Sequence, residues 1–376
     1  MKKSGIILIA SLLPFSGLFA QKSIIVTNNS DFARKAEMVE VKASAIKSCL
    51  KKKTYILKND ADKEIPYQLV FDGKKKVQYI IFQADVKAHG SSTYTLTNGK
   101  PAKVEPKTFA RYVPERKDDF AWENDLAAYR MYGPALASET NSNGVDLWLK
   151  STNKLIINKR YNDDLNNGIS YHVDHGEGLD CYKVGATLGA GGIAPYSADK
   201  VWTGKHYDKY KTIEVGPLRS TFQLIYDSVV VGDKIYKETI TITTDAGSML
   251  NKGVVKYEGA KGDIKLAAGI YLHDGKGSLK ENAENGIIAY AENAVSDAGV
   301  PAGRNYVGVF IPGKATETMK TEDTTIILAD YQIGDTFTYY FGGGWNKWGY
   351  PTDADWFKSV SRFAKQINSP LIVTVK

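Results

Sequence analysis

Short runs of β-branched and aromatic residues in near-alternation, separated by Asn-Asn, Asn-Asp, Asp-Gly and His-Gly turns, constrain this chain most. They are Ser23 to Thr27, Ala36 to Val41, Thr54 to Leu57, Tyr67 to Phe71, Val77 to Ala84 and Ser92 to Leu96, and later Phe222 to Tyr226, Glu238 to Thr243, Lys265 to His273 and Tyr306 to Ile311. Alternation of this kind buries one face of a strand and wets the other, so antiparallel sheets packed in pairs are expected. Helical spacing is clear only once, where Trp356, Val360, Phe363 and Ile367 step by four, three and four, with Asp353 as the expected cap and Asp355 in the first turn. Pro370 ends that helix, and Leu371 to Val375 form a last strand.

The spacing of these runs predicts an all-β protein. Residues 21–100 read as a small N-terminal β-sandwich, the polar stretch 101–108 as a linker, and 109–376 as a large antiparallel sandwich of two extended sheets with one late helix. Residues 1–20 read as a secretory signal: Lys2 and Lys3, an apolar run from Gly5 to Phe19 broken by Pro14, and Ala20 before the cut. That run is too short for a good membrane span, so the mature protein is expected in the periplasm or outside the cell and not embedded in a membrane.

The charge is +7, and +5 once the two lysines of the signal are gone (7 − 2). The basic runs Lys51 to Lys53 and Lys74 to Lys76 read as solvated turns, so a nucleic-acid partner is not expected, whereas an acidic polysaccharide suits the charge. Cys49 and Cys181 fall in different predicted domains, and a disulfide between them is not expected. The sequence contains no Gly-x-Ser-x-Gly, phosphate loop or dinucleotide fingerprint, so serine esterase, kinase and oxidoreductase chemistry is weakly supported.

Chemistry concentrates in residues 171–192, which hold two of the five histidines, three carboxylates and six glycines. Gly176 and Gly178 permit backbone turns closed to other residues and would bring His172, His175, Glu177 and Asp180 toward one point. A histidine there serves as general acid or base, with a carboxylate to orient it and Tyr132 or Tyr182 as a proton donor. The same four side chains suit a Ca²⁺ or Zn²⁺ ion in part, although His-x-x-His lacks the helical zinc-protease pattern. The plain alternative is a turn whose side chains cap their own backbone.

Around it stand candidate substrate contacts. In an extended segment Arg130 and Tyr132 share one face and Tyr129 and Met131 the other. Arg130 offers a planar fork for a uronate carboxylate, with Trp122 and Asp125 nearby in sequence, unless it is engaged by Asp125 or Glu123. Trp202 and Tyr207, and Trp345 and Trp348 behind a triple glycine, offer flat rings for sugar faces. Lys159-Arg160-Tyr161 reads as a solvated strand end, and His273 as a structural residue ending a β run.

Taken in order, Trp122-Glu123-Asn124-Asp125, Tyr129 to Pro134, Gly144-Val145-Asp146-Leu147-Trp148 and Tyr171-His172-x-Asp174-His175-Gly176-Glu177-Gly178-x-Asp180 resemble the bacterial exported family catalogued as domain of unknown function 4861. The resemblance implies a galactose-mutarotase-like β-sandwich and a role in breaking down plant or algal polysaccharides, particularly pectin-type ones. It brings no assigned reaction and no catalytic residue. The expected function is therefore an exported enzyme acting on uronate-containing oligosaccharides by β-elimination or hydrolysis. An aldose mutarotase and a non-catalytic sugar-binding protein are the alternatives.

Overall fold

The computed structural model describes residues 22–51, 54–139, 144–321 and 323–376; the expected signal segment, residues 1–20, lies outside them. The chain is all-β. Its first six strands are β1 (Lys22–Asn28), β2 (Arg34–Lys42), β3 (Tyr55–Asn59), β4 (Tyr67–Val70), β5 (Tyr79–Val86) and β6 (Gly90–Asn98). Next come β7 (Thr108–Val113), β8 (Asp119–Asn124), β9 (Ala128–Met131), β10 (Asp146–Lys150), helix α1 (Ile157–Asn167) and β11 (Gly178–Asp180). The run from β12 (Ala190–Ser197) continues through β13 (Lys200–Val201), β14 (Lys209–Val215), β15 (Arg219–Val231), β16 (Lys234–Asp245), β17 (Asn251–Gly259) and β18 (Asp263–Tyr271). It closes with β19 (Ser278–Asn282), β20 (Ile287–Val295), β21 (Pro301–Phe310), β22 (Ala315–Lys320), β23 (Thr324–Gln332), β24 (Phe337–Trp345), helix α2 (Asp353–Asn368) and β25 (Ile372–Val375).

Two small sheets, β25-β1-β6-β3 and β2-β5-β4, enclose Ile24, Val26, Val39, Leu57, Phe82 and Leu96 as an N-terminal core. The last strand of the chain belongs here, with Ile24 opposite Val375, and not to the large sandwich where its place in sequence suggested. An edge strand whose inward positions can bury Val373 and Val375 completes the smaller core, which explains the return.

The large core lies between an eight-stranded sheet, β14-β15-β16-β17-β24-β21-β20-β19, and two five-stranded sheets, β13-β12-β18-β23-β22 and β11-β10-β9-β8-β7. Alternate residues of β8 to β10 supply it: Phe120, Trp122, Tyr129, Leu147 and Leu149. Every residue of those three strands is buried, because their second face is roofed by α1 and the loop after it.

α2 begins one residue earlier than expected. Thr352 is the cap, its hydroxyl accepting from Asp355 N while the Asp355 carboxylate accepts from Thr352 N, a reciprocal capping box. α1 is a second helix that its sequence concealed, and it places Lys159, Arg160 and Tyr161 on a helix instead of a strand end. Ile157-Asn-Lys-Arg-Tyr-Asn-Asp-Asp-Leu-Asn-Asn is poor in helix formers, and only Ile157, Arg160 and Tyr161 are buried. It is held from outside: Glu123 Oε1 accepts from Ile156 N and Ile157 N at 2.8 and 2.9 Å, so a carboxylate from β8 satisfies the positive end of the helix. No helix among the described residues is long and apolar enough to cross a membrane.

Candidate functional site

Sheet pairing decides which charges meet. Asp146 on β10 stands opposite Arg130 on β9, and Trp148 opposite Asp180 on β11, so Arg130, Asp146 and Asp180 share the roofed face. Arg130 donates to Asp146 Oδ2 through Nε at 2.9 Å and Nη2 at 2.6 Å, and to Asp180 Oδ2 at 2.9 Å; Asp119 lies 3.5 Å away. The Tyr132, Trp148 and Tyr171 rings surround the guanidinium at 5.0, 5.1 and 5.7 Å. Burial pushes Asp119 up to about 6 and holds Asp180 well above the usual carboxylate range, with the charge of Asp146 adding to the second effect. A buried pair completes the layer across β9: Lys150 donates to Glu123 at 2.8 Å and to Asn124 O at 2.7 Å.

Arg130 is therefore occupied by the protein's own carboxylates, its side chain only 3 % exposed, and does not wait for a substrate carboxylate. Its partners are Asp146, Asp180 and Asp119, not Asp125 or Glu123. Asp125 instead accepts from Gly247 N at 2.6 Å. Burial corrects several other expectations. Trp122, Tyr207 and Trp345 are core residues; Trp122 Nε1 donates to Asn251 and Trp345 Nε1 to Ala302 O, so none offers a ring to a sugar. Tyr132 and Tyr182 are buried phenols, raised well above their ordinary value by that burial, and at 8 and 3 % exposure neither reaches an exposed substrate. Trp202 and Trp348 remain partly exposed.

The loop over this layer divides into two parts. Gly176 and Gly178 have φ of 91° and 102°, and a Cβ on Gly178 would lie 2.0 Å from Leu149 O, so only glycine fits there. Asp174 caps the Gly176 and Gly178 amides at 2.9 and 3.0 Å, as in a self-capping turn. His175 Nε2 donates to Ser170 O at 3.1 Å, and Glu177 pairs with Lys159 at 3.0 Å. These groups turn away from His172 and Asp180, so the four candidate metal ligands do not converge. Among the described residues no three His, Cys, Asp or Glu side chains are placed to hold a metal ion. A cavity of about 20 Å³ between this turn and α1 has room for about one water.

His172 is different. Its Nδ1 lies 2.9 Å from Asp180 O, and a carbonyl only accepts, so Nδ1 carries the proton and Nε2 keeps a lone pair. The side chain is 36 % exposed, with Asp297 Oδ2 3.4 Å from Nδ1. Lys183 is linked to it through Asp297, 3.7 Å away, whereas Lys347 lies over the other part of the loop, 3.6 Å from Asp174 and 4.5 Å from the centre of the Trp345 ring. The 342–350 stretch is thus brought beside the 171–192 stretch, but it supplies a lysine in place of a sugar-stacking tryptophan.

A second histidine adjoins. His273, at φ 38°, faces Glu292 Oε1 through Nδ1 at 2.5 Å and Lys183 O through Nε2 at 2.9 Å. Sequence gave no signal for Asp297, Lys183 or Glu292 as members of a site. For Asp146 a signal existed: in Asp146-Leu-Trp-Leu-Lys150 an apolar strand is bracketed by opposite charges, the mark of a strand buried on both faces over a polar layer.

A wider concavity, about 800 Å³, lies elsewhere, at the ends of β12, β18 and β23, lined by Tyr196, Lys265, Lys314, Asp330 and Tyr331 among others. It contains no histidine, and its Lys265 is committed to Glu317 and Asp330 at 3.4 and 3.6 Å. The partly exposed His172 beside a buried charge layer, not volume, decides the choice of candidate site.

A family profile described as domain of unknown function 4861 matches residues 26–373. A relative from Formosa agariphila, described as uncharacterized protein P7, is 30 % identical over 391 positions that cover 98 % of each chain. Among solved structures, an alpha-mannosidase from Enterococcus faecalis V583 aligns at TM-score 0.44 and 11 % identity, covering 95 % of this chain and 46 % of that one. A protein in glycosyl hydrolase family 38 from Enterococcus faecalis aligns at 0.48 and 10 %, covering 95 % and 47 %. The chain spans less than half the length of either.

Proposed function

The chain belongs to the family of domain of unknown function 4861, and on that premise we propose that it is an exported carbohydrate-active enzyme that cleaves uronate-containing oligosaccharides by β-elimination, with His172 as the base. One observation carries the reading. His172 is a partly exposed imidazole whose Nδ1 is held by the Asp180 carbonyl, which leaves the Nε2 lone pair to take a proton, with Lys183 linked to it through Asp297.

The substrate carboxylate lies beside Lys183, whose charge stabilises the enolate-like carbanion formed when Nε2 takes the proton from C5. The C5–H electron pair becomes the C4–C5 double bond, the C4–O bond breaks, and the leaving oxygen takes the proton back from the imidazolium. Asp297 and the Asp180 carbonyl steady that cation while it exists. The carboxylate pair a hydrolase needs is less well supported: Asp180 and Glu123 are buried in ion pairs, Asp174 caps a turn, and Glu177 is held by Lys159.

The test is product analysis after incubation with pectic and other uronate oligosaccharides. Products carrying a conjugated double bond are expected. His172→Ala lowers turnover by about 10²-fold or more, and His175→Ala leaves it within a few-fold. Products one water heavier, or a His172→Ala variant of undiminished rate, would overturn the assignment.

A further inference from the structure

α2 covers only the half of the eight-stranded sheet made by β19, β20, β21 and β24, where Trp356 and Val360 pack on Tyr306 and Phe310. The other half, β14 to β17, has an open outer face. Register places Lys211 opposite Gln223, Gln223 opposite Thr241, Thr221 opposite Thr243, and Thr243 opposite Lys252. The side chains join across the strands: the Thr221 and Thr243 hydroxyls lie 3.2 Å apart, and the Gln223 amide donates to Thr241 at 3.1 Å. Ile225 and Val254 supply small apolar surface within this array, both of them only partly buried.

The carboxylates of this face are all engaged: Asp227 by Lys209 at 2.5 Å, Glu258 by Lys256 at 2.9 Å, Asp245 by Arg219 at 2.6 Å and Glu214 by Phe71 N at 2.9 Å. Lys211 and Lys252 are exposed, and among the described residues no carboxylate comes within 4.0 Å of either. We propose that this face binds a uronate polymer laid across β14 to β17, with the lysines holding carboxylates and the Thr and Gln side chains holding ring hydroxyls. The proposal rests on the carbohydrate reading above and names a second site for the same class of substrate. Lys211 and Lys252 are three strand spacings apart across the sheet and two residues apart along it, about 16 Å. An oligomer reaches both and a single sugar does not. Each exposed contact is weak by itself, so affinity grows with chain length through repeated engagement.

The experiment is affinity electrophoresis of the full chain through gels containing polygalacturonate or, for comparison, neutral dextran. Retardation is expected in polygalacturonate alone, weakening with salt toward about 0.5 M and with shorter oligomers. Lys211→Gln/Lys252→Gln weakens it at least ten-fold, whereas Lys320→Gln/Lys365→Gln, which removes the same charge elsewhere, does not. Equal retardation of both double variants, or equal retention in dextran, overturns the proposal. The two sites fail separately. Lys211→Gln/Lys252→Gln keeps its turnover of short oligosaccharides, and His172→Ala keeps its retardation by the polymer. Retardation that depends on Lys211 and Lys252 in a protein without any turnover upholds this face and refutes the catalytic reading.

Discussion

Glu238 shows how a single side chain sets the pH response of the fold. It is buried in the large core beside Tyr257, and burial pushes its carboxyl up from 4.5 to about 8. A raised folded value means the native state holds a proton that the unfolded chain has released, so stability falls as pH rises from about 4.5 to about 8. Glu238→Gln removes that loss. Urea unfolding at pH 6 and pH 8.5 is expected to show a variant advantage that grows with pH, on the order of 4 kcal/mol at the upper end. An advantage independent of pH would contradict it. Asp119, pushed up to about 6, acts with the same sign at lower pH. The sequence marked the 171–192 loop as a candidate site at this scale but did not show how its residues are divided. The residue types around His172 and His175 were alike, and only backbone geometry distinguishes a ring held by Asp180 O from one held at a wet turn by Ser170 O. Rings of Tyr207 and Trp345 read as sugar platforms, and Trp122 as a substrate contact, because residue type does not report depth.

Elements with strong periodicity were legible in the sequence and those held by distant partners were not. β1 to β6 fall within two residues of their expected ends, and the Trp356 to Ile367 helix was clear from its apolar spacing. α1 was missed because its stabilisation lies outside its own residues, in the Glu123 carboxylate and the sheet face below. Glu123→Gln leaves Lys150 buried without a counter-charge and weakens the hold on the Ile156 and Ile157 amides. It is expected to cost about 3–5 kcal/mol in denaturant unfolding. Pairing it with Lys150→Met, which removes the stranded cation, is expected to recover much of the loss. A double variant less stable than Glu123→Gln alone would show that the ion pair is not the source.

Across the molecule, the N-terminal sandwich is tied to the large one by Gln68, whose carbonyl accepts from Leu218 N and Arg219 N at 2.9 and 2.8 Å, and by the return of β25. Removing residues 371–376 bares one edge of β1. Hydrogen exchange is then expected to show residues 22–42 losing protection while 219–259 keep theirs, and uniform protection throughout would contradict it. The β25 to β1 pairing was invisible in sequence because alternation marks a strand without naming its neighbour. It also orders events in time. A ribosome releases Ile24 long before Val375, so β1 waits with one flank unsatisfied while the rest of the chain emerges, and the first sandwich to be synthesised is the last to close. Such a chain remains open for as long as it is being made, the state in which a polypeptide can still be threaded through a narrow pore.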